Sequence, residues 1–239
     1  MRAVVASAGQ GSRMLPLTKD LPKPMVPVLD KPFLYYLLTQ LDLAGFTDLV
    51  VVTGFRSATV EKFVRTLPFS VSVVDQHEQF GSEHHGTALP VKAVRELVGQ
   101  EPFVYMYGDS LFSVPDLEQM NIQDGVMRVA RFRSDFSPAY GQVVADWEGF
   151  VEKIAEKPNE KVSDFVNVGL YTLTPAIFGT LDQLTPSPRG ELELTDAINL
   201  LAPQKQIKAV DLKDYWVDFS TPEDVSKVES FLQDHGFKK

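Results

Sequence analysis

The sequence predicts an α/β fold: a mixed, mostly parallel sheet flanked by helices, with antiparallel strands added late in the chain. Three observations carry that expectation. Residues 3–6, 49–53 and 103–107 are short apolar runs without polar alternation, the pattern of strands buried on both faces. Stretches with helical spacing of apolar residues separate them, so these strands are joined by right-handed crossovers rather than hairpins. After residue 120 the rhythm changes, and strand candidates follow one another without long helices between the early ones.

Taken in order, the first strand, 3–6, empties into a glycine-rich turn, Ser7-Ala-Gly-Gln-Gly-Ser-Arg13. Pro16, Pro22 and Pro24 exclude a long helix after it, because proline lacks an N–H and clashes with the preceding turn. An extended loop of roughly 20 residues is left, a length that in a compact domain is functional or disordered. Its apolar residues, among them Met14, Leu17, Leu21, Met25 and Val28, argue against disorder and for an active-site lid. Residues 30–44 place Phe33, Leu34, Leu37, Leu38 and Leu41 on one helical face, stopped by Gly45. The buried strand 49–53 ends at Gly54; 57–66 reads as a helix, 69–74 as a strand, and 87–98 as one amphipathic helix. Strand 103–107 closes on Gly108-Asp109. This alternation describes a Rossmann-like sheet. Residues 126–132, 141–145, 149–155 and 167–173 are the later strands; helices follow at 175–184, 191–201 and 221–234, the last with Pro222 in its first turn.

Composition narrows the function classes. The 239 residues, 44% of them hydrophobic, suffice for one domain spanning 1–239. Net charge is −9, from 23 basic and 32 acidic side chains, which disfavours nucleic-acid binding driven by phosphate neutralisation. The absence of cysteine excludes disulfides and thiolate metal sites. No apolar run approaches the ~20 residues that span a bilayer. The chain opens on a core strand rather than a secretion signal, so a cytoplasmic protein with no membrane partner is expected.

A glycine-rich turn after a strand exposes backbone N–H groups that can wrap a polyphosphate, and Arg13 and Lys23 add two cations beside it. The glycines alone fit an ordinary tight turn equally well: Met14 stands where a dinucleotide fingerprint has its third glycine, and no P-loop pattern is present. The residues that follow are more specific. Ala8-Gly-Gln-Gly-Ser-Arg13, Pro16-Leu-Thr18, Pro22-Lys-Pro-Met25, Pro27-Val28 and Lys31-Pro32 together resemble the signature of sugar-1-phosphate nucleotidyltransferases, also called nucleotide-sugar pyrophosphorylases. Departures are mild: Ala6-Ser7 stands where the family usually has Leu-Ala, and Ser12 where Thr is common.

The resemblance is greatest to the single-domain hexose-1-phosphate uridylyl- and thymidylyltransferases. It implies transfer of a nucleoside monophosphate from a triphosphate, UTP or dTTP, to a hexose 1-phosphate, with Mg2+ as cofactor and pyrophosphate as the second product. The half 1–120 would mainly bind nucleotide and 121–239 mainly sugar phosphate. No hexapeptide β-helix repeat of the kind carried by longer members follows. Ala8, Gly9, Gly11 and Ser12 would line the triphosphate, with Arg13 on the departing pyrophosphate and Lys23 on the reacting phosphates.

Asp109 ends an apolar strand, the edge where open α/β sheets bind ligands, and a carboxylate there suits a hard divalent cation or simply a turn. Asp218, in Trp216-Val-Asp-Phe-Ser-Thr-Pro222, would cap a helix beginning near Thr221 or join Asp109 on magnesium. Both segments resemble the family's metal-binding pair, with Ser220 in place of the usual Gly.

Tyr140-Gly141, Glu156-Lys157 and Asn167 match the family's sugar-phosphate residues, and Glu193 lies in another matching segment. A glutamate accepts sugar hydroxyls, a lysine pairs with phosphate, and a glycine lets the ring approach. Residues 75–88 occupy the place of the base-reading loop, where Gln76 or Gln79 offers an amide to a pyrimidine and Gly86 precedes a helix. His77, His84 and His85 read as exposed loop histidines, since adjacent residues seldom face one ion.

Three alternatives stay open: a GTP-dependent mannose-1-phosphate type enzyme, a CTP-dependent cytidylyltransferase, and a non-catalytic regulatory homologue. Strand-rich 120–175 offers a surface for a homo-oligomer, which nothing in the pattern requires.

Overall fold

A computed structural model describes residues 1–9, 11–135 and 137–236. Among these described residues the strands are β1 (Arg2–Ala6), β2 (Pro27–Val28), β3 (Lys31–Pro32), β4 (Asp48–Thr53), β5 (Val71–Asp75), β6 (Phe103–Tyr107), β7 (Ser110–Phe112), β8 (Met127–Arg133), β9 (Gln142–Ala145), β10 (Val151–Ala155), β11 (Phe165–Leu173), β12 (Ile207–Asp211) and β13 (Trp216–Asp218). The helices are α1 (Phe33–Leu43), α2 (Ser57–Val64), α3 (Gln76–Phe80), α4 (Leu89–Ala93), α5 (Arg95–Val98), α6 (Val114–Met120), α7 (Ala176–Leu181), α8 (Leu194–Leu201) and α9 (Asp224–Asp234).

The main sheet has the predicted mixed character. β5, β4, β1 and β6 are parallel neighbours in that order, and β11 then pairs antiparallel with β6. β8 lies antiparallel on the far side of β11, with β12 parallel to β8 at the edge. The hairpin β9–β10 branches from the start of β11. Val4 and Val50 point to one face and Val5 and Val51 to the other, each fully buried, so the sheet is covered on both sides. That double coverage is why these strands lack polar alternation.

Four expectations need correction. The loop after β1 is not extended throughout: 3₁₀ turns form at Ser12–Met14 and Lys23–Met25, and Met14 and Met25 are buried in the core. The helix expected over 87–98 is two, broken at Val94, whose N–H turns back to Val91 while Val91, Val94 and Val98 stay buried on one face. The base-reading loop contains a helix, α3, because the Asp75 carboxylate caps the His77 N–H at 2.8 Å and Gly81 ends it at φ 80°. Pro222 precedes α9 rather than opening it: Asp224 accepts the Ser220 and Thr221 N–H groups, so the helix starts two residues later. Among the described residues no helix is long and apolar enough to cross a membrane.

The halves interlock. Residues just before α4 bond those just before α8: Ala88 N–H to the Leu192 carbonyl, Leu192 N–H to the His85 carbonyl, and Leu194 N–H to the Thr87 hydroxyl. At the other end, Glu229 of α9 accepts the N–H of Leu29 at 2.9 Å, between β2 and β3.

Candidate active site

A cleft of about 630 Å³ opens at the carboxyl ends of β1 and β6. Open α/β sheets bind ligands there because strand-end loops diverge and leave backbone groups uncovered. Asp109 enters from the end of β6 and Asp218 from β13. β13 pairs antiparallel with β7, setting Asp218 opposite Ser110, the residue after Asp109. The Lys23 ammonium lies 2.7 Å from Asp109 Oδ2. Asp218 accepts the Tyr140 hydroxyl at 3.0 Å and the Ser220 hydroxyl at 2.9 Å. Burial, and then the Asp109 charge, push the Asp218 carboxyl above the ordinary aspartate range. Asp218 caps no helix: the N-cap of α9 is Glu223, and no side chain bonds the first-turn N–H groups there.

The glycine-rich turn forms the near wall. Ala8, Gly9, Gly11, Ser12 and Arg13 all line the cleft, and Gly11 takes φ 64°, a left-handed conformation that side chains resist. Thr18 pins the turn by donating its hydroxyl to the Gly11 carbonyl at 2.7 Å. Burial and then the Asp218 charge push the Tyr140 hydroxyl above its ordinary range, with Arg13 opposing from the turn, so the turn faces the later strands across the opening. Gln76, at the start of α3, lines the same cleft; its Oε1 is buried without a hydrogen-bond partner among the described residues. Gln79 lies outside the cleft, its amide donating to the Ala93 carbonyl at 3.1 Å. Gly86 lines the cleft at φ 134°, against the Leu192 backbone.

The opposite wall comes from the antiparallel strands. Tyr140, Gly141, Glu156, Lys157 and Asn167 all line it. Gly141 is close-packed, with room for no more than a methyl beside Glu156 and Asn167. The Asn167 amide donates to the Tyr171 hydroxyl at 2.7 Å, which fixes its direction. Gly169, at φ 72°, lets the Tyr107 ring lie against β11 where its register shifts. Burial raises the Glu156 carboxyl above its ordinary value, with Arg189 opposing. His77, expected as an exposed loop residue, is half-buried on α3 against Gly54 and lines the cleft with His85, while His84 is exposed 3.3 Å from Glu83.

The model of the family described as nucleotidyl transferase matches residues 2–235. The chain belongs to this family. Among curated nucleotidyl transferases, the UTP–glucose-1-phosphate uridylyltransferase AglF of Haloferax volcanii is 34% identical over 98% of this chain and 97% of its own length. The bifunctional sugar-1-phosphate nucleotidylyltransferase/acetyltransferase of Sulfurisphaera tokodaii is 32% identical over 98% of this chain, which spans 56% of that longer protein. Among solved structures, UDP-glucose pyrophosphorylase complexed with UDP-glucose superposes with a TM-score of 0.85 at 26% identity, over 98% of each chain.

Two side chains of this nucleotidyl transferase escaped the sequence reading. Arg189 lines the cleft and bridges Glu193 at 2.6 Å and Glu156 at 3.4 Å. Its spacing of four residues before the buried Glu193 was the available signal. Ser7, at the end of β1, also lines the cleft, with its hydroxyl buried and unpaired among the described residues.

Proposed function

We propose that this chain transfers a uridylyl group from UTP to a hexose 1-phosphate, forming a nucleotide sugar and pyrophosphate. The observation that carries the proposal is convergence: every expected site residue except Gln79 lines one cleft, from segments scattered between residues 8 and 218. The sugar-1-phosphate oxygen attacks the α-phosphorus, a new P–O bond forms, and the bond to the bridging oxygen of pyrophosphate breaks. The attacking phosphate is already ionised, so no protein nucleophile is needed, and rate comes from positioning and charge neutralisation.

The donor set fits a magnesium ion. Two carboxylates face each other closely enough for one to raise the other's pKa, and the described residues hold no cluster of three acidic or histidine ligands. Magnesium commonly takes one or two carboxylates and completes its shell with water and substrate phosphates. Asp109 and Asp218 would hold it, and bound there it would neutralise triphosphate oxygens. Lys23 keeps its ammonium beside this pair and would draw the two reacting phosphates together. Arg13, on the rim of the turn, would balance charge on the leaving pyrophosphate. Glu156 would accept sugar hydroxyls while Lys157 and Arg189 oppose the sugar-borne phosphate.

The uridine choice is supported by AglF, similar over nearly its whole length, and by Gln76, whose free Oε1 suits the N3–H of a uracil ring. A thymidine triphosphate carries the same N–H and is the second reading. Pyrophosphate release measured for four triphosphates against a panel of sugar 1-phosphates, with magnesium, tests the proposal. UTP with a hexose 1-phosphate should be the fastest pair, and release from no pair would overturn it.

A further inference from the structure

Five buried side-chain polar atoms lack a hydrogen-bond partner among the described residues, and two of them, Ser7 Oγ and Gln76 Oε1, belong to residues of the cleft wall. Buried hydroxyls are ordinarily paired, because an unmade bond costs the full desolvation of the group. Ser7 is 4% exposed. Its backbone N–H is already used, bonded to the Val52 carbonyl at 2.7 Å. Its hydroxyl lies against Gly108, where any side chain would collide with it. An alanine would fill the same space without an orphaned polar atom, and alanine is what the family pattern usually has there.

Position along the sheet says what lies to either side of Ser7 in the cleft wall. In the parallel set, Gln76 follows β5, Ser7 follows β1, and Asp109 follows β6, so Ser7 stands between the amide and the carboxylate. A nucleotide whose base meets Gln76 and whose α-phosphate reaches Asp109 must, by its covalent order, lay its ribose between them. Neighbouring hydroxyls in this stretch are engaged: Thr53 with Ser57 at 2.8 Å and Tyr105 with the Thr87 carbonyl at 2.9 Å. We infer that Ser7 binds a ribose hydroxyl of the nucleotide and thereby selects ribonucleotides over deoxynucleotides. The inference rests on the nucleotide orientation given under Proposed function. A site that bonds a substrate hydroxyl discriminates against the analogue lacking it, because its own polar group is then stranded.

The test is calorimetric binding of each of the four ribonucleoside triphosphates and their 2′-deoxy and 3′-deoxy forms, with magnesium, to wild type and Ser7→Ala. Wild type should bind one deoxy series roughly three- to tenfold more weakly than the ribonucleotides, the worth of one neutral hydrogen bond. Ser7→Ala should weaken the ribonucleotides to that level and erase the preference. Its melting temperature without nucleotide should equal or exceed that of wild type, since it removes an unpaired buried hydroxyl. An unchanged preference, or equal weakening of all forms, overturns the inference. Because every base is tried, failure of UTP alone overturns the uridine reading and leaves the Ser7 comparison intact; binding of no triphosphate overturns both.

Discussion

Lys23 is only 9% exposed, yet its ammonium has one carboxylate partner, Asp109, and an open cleft beyond it. Replacing it by alanine removes a fixed positive charge where negative charge accumulates in transfer. We expect Lys23→Ala to lower kcat/KM by roughly 10²–10³, the usual cost of losing one such group. The fold should survive, because Asp109 remains partly solvated; a cooperative thermal melt by circular dichroism checks that. Glu156 supplies a pH dependence. Its folded-state carboxyl lies above the ordinary value of 4.5, so the native state holds the proton more tightly than the unfolded chain. Stability is therefore highest below that value and falls as pH rises through the raised folded pKa. Glu156→Gln should flatten this slope in urea melts between acid and neutral pH while weakening sugar 1-phosphate binding. An unaltered slope would assign it to other groups. Which residues meet at the cleft was legible where a side chain's chemistry was tied to a motif, as for Arg13 and Asp218. The choice between Gln76 and Gln79 was not, because three positions along a helix decide which glutamine faces the cleft, and the helix itself was unforeseen.

Elements whose apolar period was long and unbroken, such as α1, β4 and β6, could be read directly from the sequence. Short elements held by capping or tertiary contact could not: α3 depends on the Asp75 carboxylate, and β12 exists by pairing with β8. The junction of residues 85–88 with 192–194 belongs to this second kind. Gly86 takes φ 134° there, and a Cβ would run into the Leu192 backbone. Gly86→Ala should cost about 2–4 kcal/mol in chemical denaturation, combining left-handed strain with overpacking. It should also reduce activity more than Gly99→Ala, a left-handed glycine in open space that isolates the backbone effect alone.

At the scale of the molecule, the doubly covered sheet followed from its unbroken apolar strands, whereas the antiparallel β11 between parallel neighbours rests on contacts across the sequence. β6 has β1 on one edge and β11 on the other, and both core layers draw residues from before and after position 120. A fragment comprising residues 1–120 should thus be insoluble or lack cooperative melting, since it would expose the β6 edge and half of each layer. A soluble, cooperatively melting fragment would contradict that interdependence. The bond from Leu29 to Glu229, linking residues 200 apart, has a consequence for synthesis. The phosphate-facing turn is synthesised about 200 residues before one of that region's anchors. A ribosome stalled before residue 229 emerges carries a chain whose turn region lacks this tether, so nascent polypeptides should gain nucleotide affinity only once residue 229 has left the tunnel.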